Sequence, residues 1–161
     1  MKPSKSRKGK GKEKGGGLEV LKLSGAYKLG DAECASLIDS SCKTLRSLQL
    51  DACPRIGASL VASASRLTSL SSLTLTNCEK INNNHLISLR PIFEKLRVLD
   101  LSNFASLDDN TLQIILAAND GYLVELNLEA TGISDRSLVI IRCLNKHNNL
   151  KVRNKTKQNK M

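Results

Sequence analysis

Leucines recur along the middle of the chain at a near-constant spacing. Five segments read L-x-x-L-x-L: Leu18/Leu21/Leu23, Leu45/Leu48/Leu50, Leu70/Leu73/Leu75, Leu96/Leu99/Leu101 and Leu123/Leu126/Leu128. Their starts lie 27, 25, 26 and 27 residues apart. Apolar residues alternating with polar ones predict a short strand with one buried face. A sixth start at Leu150 fades, with Arg153 at its second leucine position. Eleven residues after each of the first four starts stands another apolar residue: Leu29, Ile56, Ile81 and Leu107. The fifth unit is one residue shorter and uses Ile133. Two residues further on come Asp31, Asn83, Asp109 and Asp135, with Ser59 one place late in the second unit. Such side chains are expected to accept the first free N–H groups of a helix. Apolar residues then follow at helical spacing, as in Leu86/Leu89, Leu112/Ile115/Leu116 and Leu138/Ile141. Each unit therefore predicts a strand, a tight loop and a helix, and Pro91 should break or restart the third helix near Arg90.

A period of this length marks a repeat architecture. Cys53 and Cys78 stand eight residues after their unit's first leucine, in L-R-S-L-Q-L-D-A-C-P-R-I and L-S-S-L-T-L-T-N-C-E-K-I, and Cys42 falls three residues before the second start. Ala26, Phe104 and Thr131 replace the cysteine elsewhere. Over residues 18 to 152 the chain resembles the cysteine-containing leucine-rich-repeat family. That family includes F-box leucine-rich-repeat adaptors of ubiquitin ligases and the leucine-rich-repeat subunit of nucleotide-excision repair. No F-box is visible. The resemblance implies an α/β fold, a right-handed leucine-rich-repeat solenoid forming a ribonuclease-inhibitor-like horseshoe arc, with parallel strands concave and helices convex. Residues 18–152 would form five repeats plus a degenerate sixth, flanked by tails at 1–17 and 153–161. Cys53 and Cys78 should turn inward where strand meets loop, and Cys34 and Cys143 fall on apolar helical positions.

If the leucines point inward, the residues between them point out. They are Val20, Lys22, Ser24; Ser47, Gln49, Asp51; Ser72, Thr74, Thr76; Val98, Asp100, Ser102; and Glu125, Asn127, Glu129. This expected face is small and polar, and its carboxylates (Asp51, Asp100, Glu125, Glu129, with nearby Glu19) outnumber Lys22. It should suit a basic or polar protein segment rather than phosphate. The expected partner-binding residues are Gln49, Asp51, Thr74, Thr76, Asp100, Glu125, Asn127 and Glu129.

Charge alters the picture at the ends. The chain of 161 residues carries 25 Lys and Arg against 15 Asp and Glu, a formal +10. Residues 1–17 hold seven basic side chains against Glu13, and residues 146–161 hold six with no acid, so the ends carry 13 − 1 = +12 and the remainder −2. Too few apolar residues stand in these tails to offset the entropy of ordering, and both are expected to be disordered. Lys5, Arg7, Lys8, Lys10, Lys12 and Lys14 could form a nuclear-import signal or a phosphate-seeking arm. Against nucleic acid stands the scarcity of stacking residues: two Tyr, two Phe and no Trp.

No run of apolar residues is long enough to span a membrane, and the basic N-terminus has no apolar region of a secretory signal. Five cysteines without a C-x-x-C pair argue against a disulfide framework or structural zinc. The expected location is nucleus and/or cytoplasm. His85 and His147 are the only histidines and sit on the helical side, and no catalytic or phosphate-cradling motif accompanies them. The expectation is a protein-binding module, not an enzyme, with no cofactor, metal, membrane or small-molecule substrate. By resemblance it would recognise a substrate or partner in a ubiquitin-ligase type assembly. One alternative is a nuclear repair or chromatin-associated factor whose tails attract nucleic acid weakly. Another is a fragment of a larger repeat protein, since polar end-caps are missing.

Overall fold

A computed structural model describes residues 17–144 and 150–154. Along the chain come β1 (Val20–Ser24), α1 (Asp31–Ser40), β2 (Ser47–Asp51), α2 (Ala58–Ala64), β3 (Ser72–Thr76), α3 (Asn83–Ser88), α4 (Arg90–Phe93), β4 (Val98–Asp100), α5 (Asp109–Asn119), β5 (Glu125–Asn127), α6 (Asp135–Leu144) and β6 (Lys151–Arg153). The six strands form one all-parallel sheet in sequential order. The fold class is α/β. The expected tails lie outside the described residues except for Gly17, Arg153 and Asn154.

The leucine spacing sets the register. Leu21, Leu48, Leu73, Leu99 and Leu126 align across the sheet, and all are buried. They join one apolar cluster with helix residues such as Cys34, Ile38, Leu86, Leu112 and Ile141. A row of 2.8 Å backbone bonds just ahead of the strands extends the pairing: Arg46 N–H to Glu19, Ser71 to Arg46, Arg97 to Ser71, Val124 to Arg97 and Lys151 to Val124. Pro91 has the expected effect: α3 ends at Ser88 and α4 starts at Arg90 with the proline in its first turn. At the first edge Leu18 is exposed, while Leu21 is buried.

The sixth strand departs from expectation. Val152, not Arg153, stands opposite Leu126, one residue out of step with a start at Leu150. Side chains alternate with period two, so this slip turns the guanidinium away from the leucine row and lets the smaller aliphatic residue take that place. The strand also includes Arg153, one residue past the expected boundary at 152.

The helix-start residues also act differently. Asp31 does not cap α1, whose N-cap Gly30 has no side-chain bond. Instead its carboxylate reaches the next unit and accepts the N–H groups of Gly57 (2.9 Å), Ser59 (2.8 Å) and Leu60 (2.9 Å). Asp109 likewise reaches forward, accepting from Ser134 N–H (2.9 Å), Ser134 Oγ (2.5 Å) and Ser137 Oγ. Asn83 donates forward to Ser106 O and Asp108 Oδ2, both at 2.7 Å. The local caps stand one residue earlier, at Asn82 and Asp108, where the backbone is extended and the side chain can fold back. Ser59 lies inside α2, and Asp135 opens α6 with its side chain exposed. Asn83→Asp should destabilise the fold by about 1–3 kcal/mol at neutral pH, because a carboxylate would replace the donor facing Asp108. Urea midpoints at pH 7 and pH 4 test this, and the deficit should shrink in acid as one carboxylate protonates.

Each of the first five strands leaves through the same bend. Seven residues after each unit's start stands a left-handed residue: Gly25 (φ 60°), Ala52 (48°), Asn77 (53°), Asn103 (60°) and Ala130 (55°). Glycine and asparagine take this conformation readily, and alanine pays a steric penalty. Ala52→Gly should therefore stabilise the protein by about 0.5–1 kcal/mol, less the entropy that glycine adds to the unfolded chain, and raise the urea midpoint.

Cysteine burial follows the sequence pattern except at one position. Cys34, Cys53 and Cys78 are buried, Cys42 is half-buried, and Cys143 is exposed. In α6 the inward turn falls on Ser137 and Ile141, which leaves Cys143 outside. Burial pushes the Cys34 and Cys78 thiols up to about 11. Cys78 thus keeps its proton and donates to Thr76 O (3.4 Å) and Leu50 O (3.8 Å).

Candidate binding face

The polar positions of the strands line up in rows by the same register that aligns the leucines. One row runs Val20, Ser47, Ser72, Val98, Glu125, Lys151, and the next runs Lys22, Gln49, Thr74, Asp100, Asn127, Arg153. A third begins Ser24, Asp51, Thr76. All the expected binding residues fall on this face or at its C-terminal margin.

Many of them are occupied by one another. Asp51 accepts from Thr76 Oγ1 (2.7 Å), Asn77 Nδ2 (3.0 Å) and Ser24 Oγ (3.1 Å). The Thr76 hydroxyl and the Asn77 amide favour its charged form and hold its carboxyl below the usual value, despite some desolvation. Thr76, expected among the partner-binding residues, is buried, 7% exposed, because its hydroxyl turns to Asp51. Asp100 accepts Asn127 Nδ2 (3.1 Å) and the Ser102 N–H (2.9 Å), and Asn127 Oδ1 accepts the Glu129 N–H (3.1 Å). The Ser24–Asp51, Asp51–Thr76 and Asp100–Asn127 bonds tie neighbouring strands together and the two backbone bonds fix the turns that follow, so Asp51, Asp100 and Asn127 serve the sheet first.

Gln49 and Thr74 are half-buried in the middle of the face, and Glu125 is exposed. Glu129 is half-buried at the margin.

The strand face is not uniformly acidic. β6 adds Lys151 beside Glu125 and Arg153 beside Asn127. Both cations are exposed. With Val98, Asp100, Glu125 and Asn127 they line a shallow cavity of about 180 Å³. The sequence reading missed them because β6 has one aliphatic residue and no leucine pair to announce it. A second hollow, about 340 Å³, lies among the loops after β3 and β4, lined by residues including Asn77, Glu79, Asn103 and Phe104.

His85 belongs to a local cap. Its N–H donates to Asn82 Oδ1 (3.1 Å), and its Nδ1 accepts the Asn82 N–H (3.3 Å). His147 and the expected import or nucleic-acid residues Lys5, Arg7, Lys8, Lys10, Lys12 and Lys14 lie outside the described residues. Among the described residues no group of three or more His, Cys, Asp or Glu is placed to hold a metal ion, and no helix is long and apolar enough to cross a membrane. No protein-family model matches the chain, and no curated protein matches it.

Proposed function

We propose that this chain is a leucine-rich-repeat solenoid that recognises a protein segment on its strand face. The observation that carries this reading is the register. Sequential parallel strands place their leucines on one side and leave rows of short polar side chains on the other. Short side chains crossing several strands offer a broad surface on which an extended or irregular segment can lie, with hydrogen-bonding groups for specificity. The recurring left-handed bend and the cross-unit bonds of Asp31, Asn83 and Asp109 also suit one structural unit used several times. The chemistry is binding rather than catalysis. By its cysteine-bearing leucine pattern the chain would serve as a recognition component of a ubiquitin-ligase type assembly. The basic ends favour a second reading, in which nucleic acid is attracted without sequence preference and released by salt.

Gln49→Arg combined with Thr74→Arg tests the first reading. These bulky cations would crowd the middle rows without breaking the Asp51 or Asp100 bonds. Proximity labelling in cells with the full chain should show cullin-type ligase components, and the double variant should lose them while keeping its circular dichroism. An unchanged set of neighbours would refute recognition through this face.

A further inference from the structure

We propose that the C-terminal part of the strand face takes an extended peptide segment of mixed charge, in which an acidic residue stands two positions from a basic one. This rests on the strand-face reading and names its partner's chemistry.

The charges available on that part of the face are of both signs. Asp100 is consumed by Asn127 and the Ser102 N–H. Glu125 is exposed and uses its side chain in no strand-to-strand bond. Lys151 and Arg153 have no carboxylate partner among the described residues. The register sets Glu125 directly beside Lys151, with Arg153 two residues further along the same strand and on the same side. These groups surround one cavity, whose remaining lining is the aliphatic Val98, Leu99 and Leu126 and the neutral Asn127.

The spacing selects the ligand. Neighbouring strands lie about 4.8 Å apart, and same-side residues of an extended segment lie about 6.6 Å apart. A ligand cation over Glu125 therefore leaves its next same-side residue above β6, where Lys151 and Arg153 call for a carboxylate. A wholly basic segment would meet two cations, and a wholly acidic one would meet Glu125. Like charges so placed act against the wrong partner.

The test uses the full chain and three short synthetic peptides with serine spacers: alternating Glu and Lys at every second position, Glu only, and Lys only. Affinities are read by fluorescence anisotropy at physiological salt, with folding followed by circular dichroism. For the mixed peptide, Glu125→Lys should weaken binding about tenfold, and Lys151→Glu with Arg153→Glu by a similar factor. The triple variant carrying all three changes should recover affinity, because the alternating peptide can shift by one charged position and meet the exchanged charges. The basic ends of the chain cannot produce that recovery. Affinities indifferent to these substitutions, or a preference of the unaltered chain for a single-sign peptide, would overturn the proposal. If partner labelling still responds to Gln49→Arg and Thr74→Arg in that case, the broader face reading survives without this one.

Discussion

Asn119→Leu is expected to destabilise the protein by about 3–5 kcal/mol, because it strips the Leu96 carbonyl and the Leu123 N–H of their side-chain partner and leaves Phe93 O with the Leu96 N–H alone. Asn119 is 3% exposed at the end of α5. Its amide donates to Phe93 O (2.7 Å) and Leu96 O (2.9 Å), and its carbonyl accepts the Leu123 N–H (2.6 Å). One side chain thus joins the end of α4, the approach to β4 and the approach to β5. Leucine keeps the branching and the number of heavy atoms and is somewhat larger, so the loss reports broken hydrogen bonds and tighter packing rather than a cavity. Asn119→Ala adds a cavity and should cost more. Urea denaturation would show a lower midpoint at an unchanged slope. A loss below about 1 kcal/mol would mean that water replaces the amide at all three positions.

Why Asn119 escapes a reading of the sequence is instructive. A polar residue after Ile115, Leu116 and two alanines marks a helix end, and nothing local distinguishes an exposed amide from one turned inward. Its partners lie as far as 26 residues upstream. The strands were legible for the opposite reason. A leucine face must be buried in every unit, so the same spacing recurs and averages out local ambiguity. Legibility fails where that requirement weakens. β6 buries no leucine pair, and an assignment led by Leu150 falls one residue out of register.

The binding face divides in the same way. Alternation identified which residues occupy it, including Gln49, Thr74 and Glu125. It could not show that Asp51 is consumed by Thr76, Asn77 and Ser24, or Asp100 by Asn127 and Ser102, because those partners become neighbours only once the strands pair. Nor could it place Lys151 and Arg153 beside the acids. The apparent acidity of the face was therefore overstated from both sides: two carboxylates are engaged, and two cations were uncounted.

The carboxylates that reach forward between units make stability depend on acid. Burial would raise the Asp31 carboxyl, but N–H groups of Gly57, Leu60 and Ser59 outweigh it and hold it below the ordinary carboxylate value. Hydroxyls of Ser134 and Ser137, with the Ser134 N–H, lower Asp109. A carboxyl lowered on folding binds fewer protons in the native state than in the unfolded chain. Its contribution is complete above the unfolded value, about 3.9, and is lost as pH falls through the folded value. Stability should therefore hold from pH 7 to about pH 5 and decline below that. Asp31→Ala removes the acceptor of three N–H groups at the start of α2 and should cost about 2–3 kcal/mol at pH 7. Asp109→Ala should cost less, about 1 kcal/mol, because Ser134 is exposed and water can replace its acceptor, which leaves only the buried Ser137 hydroxyl short of a partner. The bonds join different pairs of units and share no partner, so the losses should add. The decisive measurement is the acid limb. The double variant begins less stable at pH 7 and should lose less on going to pH 3, since two of the carboxylates whose protonation unfolds the protein are gone. An acid limb as steep as that of the unaltered chain would show that other carboxylates, with Asp51 foremost, govern the response to acid.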